Sequence, residues 1–332
     1  MEMKRYTVGV DIGGTKCAVV LGKGSVADCE TKDFILDKVK IPTVFEDGPG
    51  GMIEKLFECT EGLLAKHHVE SSQLTGIGIS CGGPLDHEAG VILSPPNLIG
   101  WDRVEIVKLF EERFSVPSFL ENDANAGALA EYMFGAAKGC KNVIFLTYGT
   151  GMGAGLILDG RLYHGTNDMA GEAGHIRLTQ IGPVGYGKAG SFEGMCSGAG
   201  IAQIAKIKAT ELLQMGTPAK LCPDTESLET LTAKVIADAA KAGDPFAKEI
   251  FAISGEYLGA ALAVLVDILN PEVIVCGSVF TRSYELIWDS AIGILRKEAL
   301  GRSLDVCRIV KSGLGESIGD FAALSIVLNE GC

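Results

Sequence analysis

The strongest candidate for proton-transfer chemistry is Asp123, within the segment Glu121-Asn-Asp-Ala-Asn125. A strand is predicted at 116–120, and an alanine-rich helix follows, which Asn122 or Asp123 can cap. A carboxylate just beyond a strand lies at the cleft edge of an α/β domain, where it can accept a proton from a substrate hydroxyl. On position alone a capping aspartate is the simpler interpretation. The amides of Asn122 and Asn125 favour a site, because three polar groups exceed what capping requires.

A second polar pair lies in Gly171-Glu-Ala-Gly-His175. Glu-x-x-His is typical of carboxylate-bridged metal sites, but those sites need paired copies on bundled helices. This chain has one copy, interrupted by Gly174. Glu172 and His175 therefore suit hydrogen bonds to a polyol, and two surface loop residues are the alternative.

Groups that could hold phosphate come from a glycine turn near the N-terminus. Apolar runs flank Gly13-Gly14, a pattern that predicts a β-hairpin. A glycine turn lets an anion approach the backbone N–H groups. Asp11 adds a carboxylate for a metal, and Thr15 and Lys16 add a hydroxyl and a positive charge. Taken alone, the turn is more simply an ordinary hairpin.

A second glycine-rich turn repeats this arrangement at 145–158, where glycines alternate at positions 149, 151, 153 and 155. A packed strand would not favour such a pattern, because glycine loses the most entropy on folding. Two strand–glycine–strand elements suggest two parts of one polyphosphate site. Neither turn is a dinucleotide fingerprint, since G-x-G-x-x-G fails at both sites and a strand rather than a helix follows each turn.

The elements that position these residues indicate an α/β protein. The length of 332 residues allows two domains. Helices are predicted at 49–68, 101–114, 245–270 and 315–328, and a strand at 273–276. The two glycine hairpins occupy equivalent places in the two halves, which hints at an internal duplication.

Composition narrows the class of protein. The net charge is −13 and no basic run is present, so nucleic acid is disfavoured as a partner. The ten cysteines include no C-x-x-C pair and no signal peptide precedes the first strand, so we expect a reducing cytoplasm. The longest apolar run, 258–266, is too short to span a bilayer, which predicts no membrane association.

Taken together, the motifs resemble ROK-family sugar kinases. The Asp-x-Gly-Gly-Thr-Lys start, Glu121-Asn-Asp-Ala-Asn-Ala-Gly, the Gly-Thr-Gly turn at 149–151 and Gly-Glu-Ala-Gly-His175 occur in the family's order. Asn270-Pro-Glu-Val-Ile-Val-Cys-Gly277 and the final helix also fit. The resemblance covers essentially the whole chain.

The resemblance implies a two-domain, actin-like and ribonuclease-H-like α/β fold, with a nucleotide and sugar cleft between the domains. The N-terminal domain would span 1–120 and include the C-terminal helix, 315–332, and the larger domain would span 121–314. It implies an ATP- and Mg²⁺-dependent kinase in which Asp123 is the catalytic base and Asp11 binds Mg²⁺. The other implied contacts are Gly83, Asn97, Asn122, Glu172, His175 and Glu193 for sugar, and Gly13, Gly14, Thr15, Lys16, Gly149, Thr150, Gly151, Gly277 and Ser278 for ATP.

Two departures from the family pattern matter. Many members carry C-x-C-G-x-x-G-C-x-E, whose cysteines bind zinc together with the preceding histidine. This chain has Val184, Tyr186 and Ser191 in those places, which are poor or impossible zinc ligands. We therefore expect no zinc. The second departure is Ser278, where successive glycines are more common in the family.

Glucose is the first-choice acceptor, because Glu172, His175 and Glu193 suit a fully hydroxylated hexose. N-acetylmannosamine, N-acetylglucosamine and fructose stay open. A sugar-sensing repressor of the same family would need a helix-turn-helix domain before Tyr6, and an ATP-binding protein without kinase activity is a further alternative. Relatives often form dimers, so the resemblance also implies a homodimer.

Overall fold

A computed structural model describes residues 6–24 and 34–330. The chain forms two compact units. Unit 1 comprises Met1–Lys141, Gly155–Ala170 and Gly313–Cys332, and unit 2 comprises Asn142–Ala154 and Gly171–Ser312.

The described residues form strands in both units. In chain order these are β1 (Tyr6–Ile12), β2 (Lys16–Lys23), β3 (Ile35–Pro42), β4 (Leu74–Cys81), β5 (Leu85–Asp86), β6 (Val91–Leu93), β7 (Asp102–Val104), β8 (Ser118–Asn122), β9 (Val143–Leu146), β10 (Ala154–Leu158), β11 (Arg161–Leu162), β12 (Val184–Gly185), β13 (Lys188–Ala189), β14 (Val273–Cys276) and β15 (Arg308–Lys311).

The same residues also form α-helices in both units. In chain order these are α1 (Gly48–Lys66), α2 (Ile106–Phe114), α3 (Asp123–Met133), α4 (Phe192–Cys196), α5 (Gly198–Gln214), α6 (Ala233–Lys241), α7 (Pro245–Leu269), α8 (Ser278–Glu298), α9 (Gly301–Leu304) and α10 (Ile318–Glu330).

Unit 1 contains a five-stranded sheet in the order β3-β2-β1-β4-β8. The first three strands are antiparallel, whereas β4 and β8 run parallel to β1. Ile12 pairs with Cys81, and Cys81 pairs with Asn122. The last residues of three parallel strands are therefore level, so the segments that follow them share one edge of the sheet.

Helices cover both faces of this sheet. Apolar residues of α1 and α2 pack with β1, β4 and β8 in one core, and α3 and α10 contribute to a second core that includes Val20 and Phe34. Glycines in the central strands permit the close approach of α10: a Cβ at Gly78 would overlap the carbonyl oxygen of Ala323. Tight helix–sheet packing thus stabilises the strands that carry the edge.

Unit 2 has its own parallel strands, with β14 paired to both β9 and β15. Leu146 pairs with Cys276, so the segments after β9 and β14 also leave from one edge. Beneath them α7 and α8 pack closely, because Gly255 and Gly259 of α7 face the backbone of α8. A Cβ at Gly259 would overlap the Ala291 carbonyl oxygen.

The structure differs from the sequence predictions at three points. Residues 121–141 lie in unit 1, because β8 pairs with β4 and α3 packs on α10, and Gly155–Ala170 also belongs to unit 1, whereas the predicted larger domain spanned 121–314. The helix predicted at 101–114 begins only at Ile106, since Asp102–Val104 pairs with β6. Helix α7 is long and apolar enough to cross a membrane by length and composition, although half of its most apolar window is buried within the protein.

Candidate active-site residues in the two units

The carboxyl edge of the unit 1 sheet carries an acidic cluster formed by Asp11, Asp123 and Asp320. Asp123 is the first residue of α3, and its side chain is exposed. Burial, followed by the negative charges of Asp123 and Asp320, raises the pKa of Asp11 to about 7. Lys16 and Lys40 act in the opposite direction and lower it. Lys38 Nζ also pairs with Asp320 Oδ2 at 2.6 Å, so three lysines partly neutralise this acidic cluster.

The predicted hairpin between β1 and β2 is present, with Asp11 paired to Ala18. The first glycine of the turn uses its N–H within the hairpin, because the Gly13 N–H donates to the Lys16 carbonyl oxygen at 3.2 Å. Thr43 Oγ1 donates to the Gly13 carbonyl oxygen at 2.6 Å and fixes the turn from outside. Gly14 is required for packing, since a Cβ there would overlap the Asn97 carbonyl oxygen.

Three further predicted residues lie on the same unit. Asn122 caps α3, and its Oδ1 accepts a hydrogen bond from the Ala124 N–H at 2.9 Å. Its amide nitrogen faces Gly83, where a Cβ would lie 3.2 Å away. Asn97 is exposed, and its side chain borders Gly82. The cap uses the oxygen of Asn122, so its amide nitrogen is the group that suits a ligand.

The glycine turn of unit 2 lies against the N-terminus of α5. The N–H groups of Gly198 and Ala199 donate to the carbonyl oxygens of Gly149 and Thr150 at 2.9 and 3.4 Å. Ser197 caps this 17-residue helix. The positive end of the α5 dipole is therefore directed at the turn, and the first N–H groups of the helix donate to the turn's carbonyl oxygens and to Ser197 Oγ.

A cavity of about 740 Å³ opens beside this turn. Its lining includes Gly149, Thr150 and Ser278, which are three of the implied ATP contacts. Gly277 immediately precedes Ser278. Ser278 has a φ of 43°, a left-handed conformation that glycine adopts freely and serine does not. Its hydroxyl accepts a hydrogen bond from Arg282 Nη2 at 2.9 Å.

The polyol-binding candidates also come together in unit 2. Glu172 immediately precedes the short turn that carries His175, and the two interact electrostatically with each other. Burial of the carboxyl group raises the pKa of Glu172, the charge of Glu193 raises it further, and His175 lowers it. Glu193 Oε2 accepts the Met152 N–H at 2.9 Å, which ties the carboxylate to the residue after Gly151.

The three positions where the family has cysteines perform other tasks. Val184 is an exposed residue of β12, and Tyr186 lies at the turn between β12 and β13. Ser191 is buried, and its Oγ accepts the Gly194 N–H at 3.1 Å as the cap of α4. Among residues 6–24 and 34–330, no group of three or more His, Cys, Asp or Glu side chains is arranged to hold a metal ion. These residues do not fit a zinc site.

Sequence reasoning missed several residues of these clusters. Asp320 lies in the C-terminal helix and reaches the acidic cluster only through tertiary packing. The cavity beside the glycine turn is also lined by Lys206, Lys234 and Arg282. The pattern Ser197-Gly-Ala-Gly200 before an apolar helix was an available signal for the start of α5.

Comparison with known proteins identifies the family. The chain matches the ROK family over residues 7–330. It is 35% identical to a glucokinase of Halalkalibacterium halodurans over 95% of this chain and 92% of the relative. A ROK glucokinase of Streptomyces griseus, solved with glucose and AMPPNP, is 30% identical with a TM-score of 0.75, covering 96% of this chain and 98% of the other. A ROK transcriptional regulator, homologous to the E. coli MLC protein, is 25% identical with a TM-score of 0.81 over 99% of this chain and 80% of its own.

The chain therefore belongs to the ROK family, and the resemblance predicted from its motifs is confirmed. The predicted actin-like α/β fold class is confirmed as well. The relatives include sugar kinases and a transcriptional regulator, so the family alone leaves the activity to be argued from the residues.

Proposed function

We propose that this protein is an ATP-dependent sugar kinase that phosphorylates a hexose hydroxyl, with glucose as the first-choice acceptor. The observation that carries the proposal is the exposed carboxylate of Asp123 at the start of α3, beside the raised-pKa carboxyl of Asp11. A base that aligns a hydroxyl and accepts its proton is worth roughly a hundred- to ten-thousand-fold in rate. The glucokinase relatives support the same reaction.

In this proposal Asp123 accepts the proton of the attacking sugar hydroxyl. The side chains of Asn97, Asn122, Glu172, His175 and Glu193 hydrogen-bond the other hydroxyls, and Gly83 leaves room for the ring. Amides donate and carboxylates accept, which matches a ligand whose hydroxyls do both. A matching set of this kind penalises acceptors that lack a hydroxyl, because a polar group of the site is then left unpaired.

ATP is the proposed phosphoryl donor. In unit 2 the Gly149 N–H donates to the Gly151 carbonyl oxygen at 2.9 Å, so Thr150 and Gly151 are the candidate phosphate ligands of that turn, towards which the α5 dipole is directed. Gly277, Ser278 and the adjacent cavity suit the nucleoside. In unit 1 the Gly13 N–H is used by Lys16, so Gly14, Thr15 and the Lys16 ammonium are the candidate phosphate ligands of that hairpin. Phosphoryl transfer asks a protein mainly for such positioning and charge neutralisation.

Magnesium fits the acidic cluster. A hard cation prefers carboxylate oxygens and binds through one or two of them together with substrate phosphates. Asp11 is the residue that would hold it, because a cation there would offset the charges of Asp123 and Asp320 that raise the pKa of Asp11. When bound, the ion would neutralise developing charge on the transferred phosphoryl group.

The deciding experiment offers the purified protein Mg-ATP with glucose, fructose, N-acetylmannosamine and N-acetylglucosamine, and measures ADP and the mass of the sugar product. We expect the highest kcat/KM with glucose. A preference for an N-acetylated sugar would change the acceptor but keep the kinase. Sugar binding without any ADP release would favour the regulator, for which the likeness to the ROK transcriptional regulator is the supporting observation.

Metal content and assembly complete the proposal. We predict zinc well below one ion per chain by elemental analysis, because Val184, Tyr186 and Ser191 replace the expected ligands. A homodimer in the cytoplasm, with no membrane or nucleic-acid partner, stays a prediction. Sedimentation analysis of the full chain tests the dimer directly.

A further inference from the structure

The hairpin formed by β12 and β13 makes contacts with His175 from two directions. Lys188 Nζ donates to the His175 carbonyl oxygen at 2.7 Å and lies 3.4 Å from His175 Nδ1. The Tyr186 ring meets the imidazole edge-on, with 6.3 Å between ring centroids and 73° between ring planes. Lys188 thus contacts both the backbone and the ring of His175.

The position of this hairpin is fixed by several independent contacts. Val184 N–H donates to Gln203 Oε1, and Gln203 Nε2 donates to the Val184 carbonyl oxygen, both at 2.9 Å. Arg177 Nη1 donates to the Ala189 carbonyl oxygen at 2.7 Å. Tyr186 and Gly187 form its two-residue turn with φ of 42° and 74°, as in a type I′ turn. The place of Lys188 is therefore set by the fold.

The chemistry of an ammonium group then restricts the imidazole. A lysine ammonium has three donors and no acceptor, and a neutral imidazole has one donor nitrogen and one acceptor nitrogen. A hydrogen bond from Lys188 Nζ to Nδ1 requires the Nδ1 lone pair, and the ring proton then lies on Nε2. We propose that Lys188 is a positioning residue that fixes the Nε2–H tautomer of His175 and so makes the ring a hydrogen-bond donor to the sugar.

The inference rests on the proposed function, because it assigns His175 a donor role beside two acceptors. The charges of His175 and Glu193 both act on the pKa of Glu172, so the three groups lie near one another. Glu172 and Glu193 are acceptors when ionised. If the ring proton moved to Nδ1, His175 would also present an acceptor. A hydroxyl that lies between His175 and a glutamate has only one proton to donate. With two acceptors beside it, either the imidazole nitrogen or the carboxylate would be left unpaired, and sugar affinity would fall.

The first test uses Lys188→Met, which keeps most of the apolar stem and removes the charge and the donors. Nitrogen-15 spectra of the His175 ring report which of its two nitrogens carries the proton. We expect the Nε2–H form in the unaltered protein and a mixture of both tautomers in Lys188→Met. A ring protonated at Nδ1 in the unaltered protein would overturn the inference. This readout needs no turnover, so it separates failure of the inference from failure of the kinase proposal.

Steady-state kinetics supply the second test. We expect Lys188→Met to raise the KM for the sugar about fivefold, the cost of one neutral hydrogen bond, with kcat changed less than about twofold. Lys188→Arg keeps donors and should recover part of the loss. Lys208→Met is the matched control, since Lys208 pairs with Glu211 and Glu249 on the same unit and contacts none of the proposed site residues.

A double-mutant cycle separates positioning from mere support of the loop. In His175→Gln the side-chain amide donates without any choice of tautomer. In that background we expect Lys188→Met to raise the KM for the sugar less than about twofold, because no imidazole tautomer remains for Lys188 to fix. An equal effect of Lys188→Met in both backgrounds would show that Lys188 acts only through the His175 carbonyl oxygen, and would overturn the inference. If Lys188→Met does not fold, the same cycle is run with Lys188→Ala, which also removes the charge and the donors.

Discussion

The two units place a glycine turn at the same kind of sheet edge but use it differently. In unit 1 the turn after β1 lies beside the acidic cluster, where the pKa of Asp11 is raised to about 7. In unit 2 the turn after β9 faces the N-terminus of α5, and Met152, which directly follows the turn, donates its N–H to Glu193 Oε2. One edge concentrates negative charge and the other offers backbone dipoles and a roomy cavity.

Under the proposed kinase function, the two edges would supply different groups to phosphoryl transfer. An edge crowded with carboxylates suits a metal ion and a proton acceptor. An edge built from a helix N-terminus suits phosphate oxygens. Substitutions in the two units test this difference, and they are given in order of decreasing effect.

The largest effect is expected for Asp123→Asn. The amide cannot accept the hydroxyl proton, so kcat should fall between about a hundred- and ten-thousand-fold. Sugar affinity, measured by calorimetry, should change little, because the amide keeps the size of the side chain. Asp244→Asn is the matched control, since Asp244 also stands at a helix start but caps α7. Turnover that survives in Asp123→Asn would remove this residue from the mechanism.

The two glycine turns should respond differently to a methyl group. A Cβ at Gly14 would overlap the Asn97 carbonyl oxygen, whereas no atom lies within 4 Å of a Cβ built at Gly149. We expect Gly14→Ala to lower the free energy of unfolding by about 1–3 kcal/mol, the usual cost of overpacking. Gly149→Ala should change it by less than about 0.5 kcal/mol. Equal thermal unfolding of both variants would contradict the tighter packing of the unit 1 turn.

The free energy of unfolding should depend on pH through Asp11 of unit 1. The pKa of Asp11 is raised from its ordinary value of 3.8 to about 7, so the protonated form is favoured in the folded protein. Its contribution to stability is complete below about pH 4 and is lost as the pH rises through 7.

Thermal unfolding of the unaltered protein and of Asp11→Asn, compared across this range, measures that contribution. We expect the stability of the unaltered protein to fall relative to Asp11→Asn as the pH rises from 4 to 8. Mg-ATP should stabilise the unaltered protein more at pH 8 than at pH 6, because a metal ligand must be deprotonated. Parallel curves for the two proteins would show that Asp11 titrates normally.

The smallest effect is expected at the strained serine of unit 2. Ser278 has a φ of 43°, a conformation that costs an L-residue roughly 1–2 kcal/mol. Part of this is offset by the extra freedom of glycine in the unfolded chain, so Ser278→Gly should stabilise the protein by no more than about 1 kcal/mol. Ser278→Ala keeps the strain and removes the hydroxyl that accepts from Arg282. If both variants lose stability equally, the hydroxyl contact outweighs the backbone strain.

Local patterns predicted much of the fold. The β1–β2 hairpin, strand β14 and helices α3 and α7 follow from apolar periodicity, capping residues and glycine turns, all of which act within a few residues. The helix predicted at 101–114 was wrong in its first turn, because Asp102–Val104 pairs with β6 instead. Strand pairing depends on a partner elsewhere in the chain, and no local periodicity reports it.

The sequence by itself determined the family, the order of the motifs and the identity of the polar groups, because residue types and short spacings carry that information. Only the tertiary structure decided which of these groups interact. It joins Asp11, Asp123 and Asp320 electrostatically across more than 300 residues of chain, and it brings Lys188 to His175 through a separately anchored hairpin. Charge interactions and hydrogen bonds depend on distances in space, and those distances are set by how the strands and helices pack.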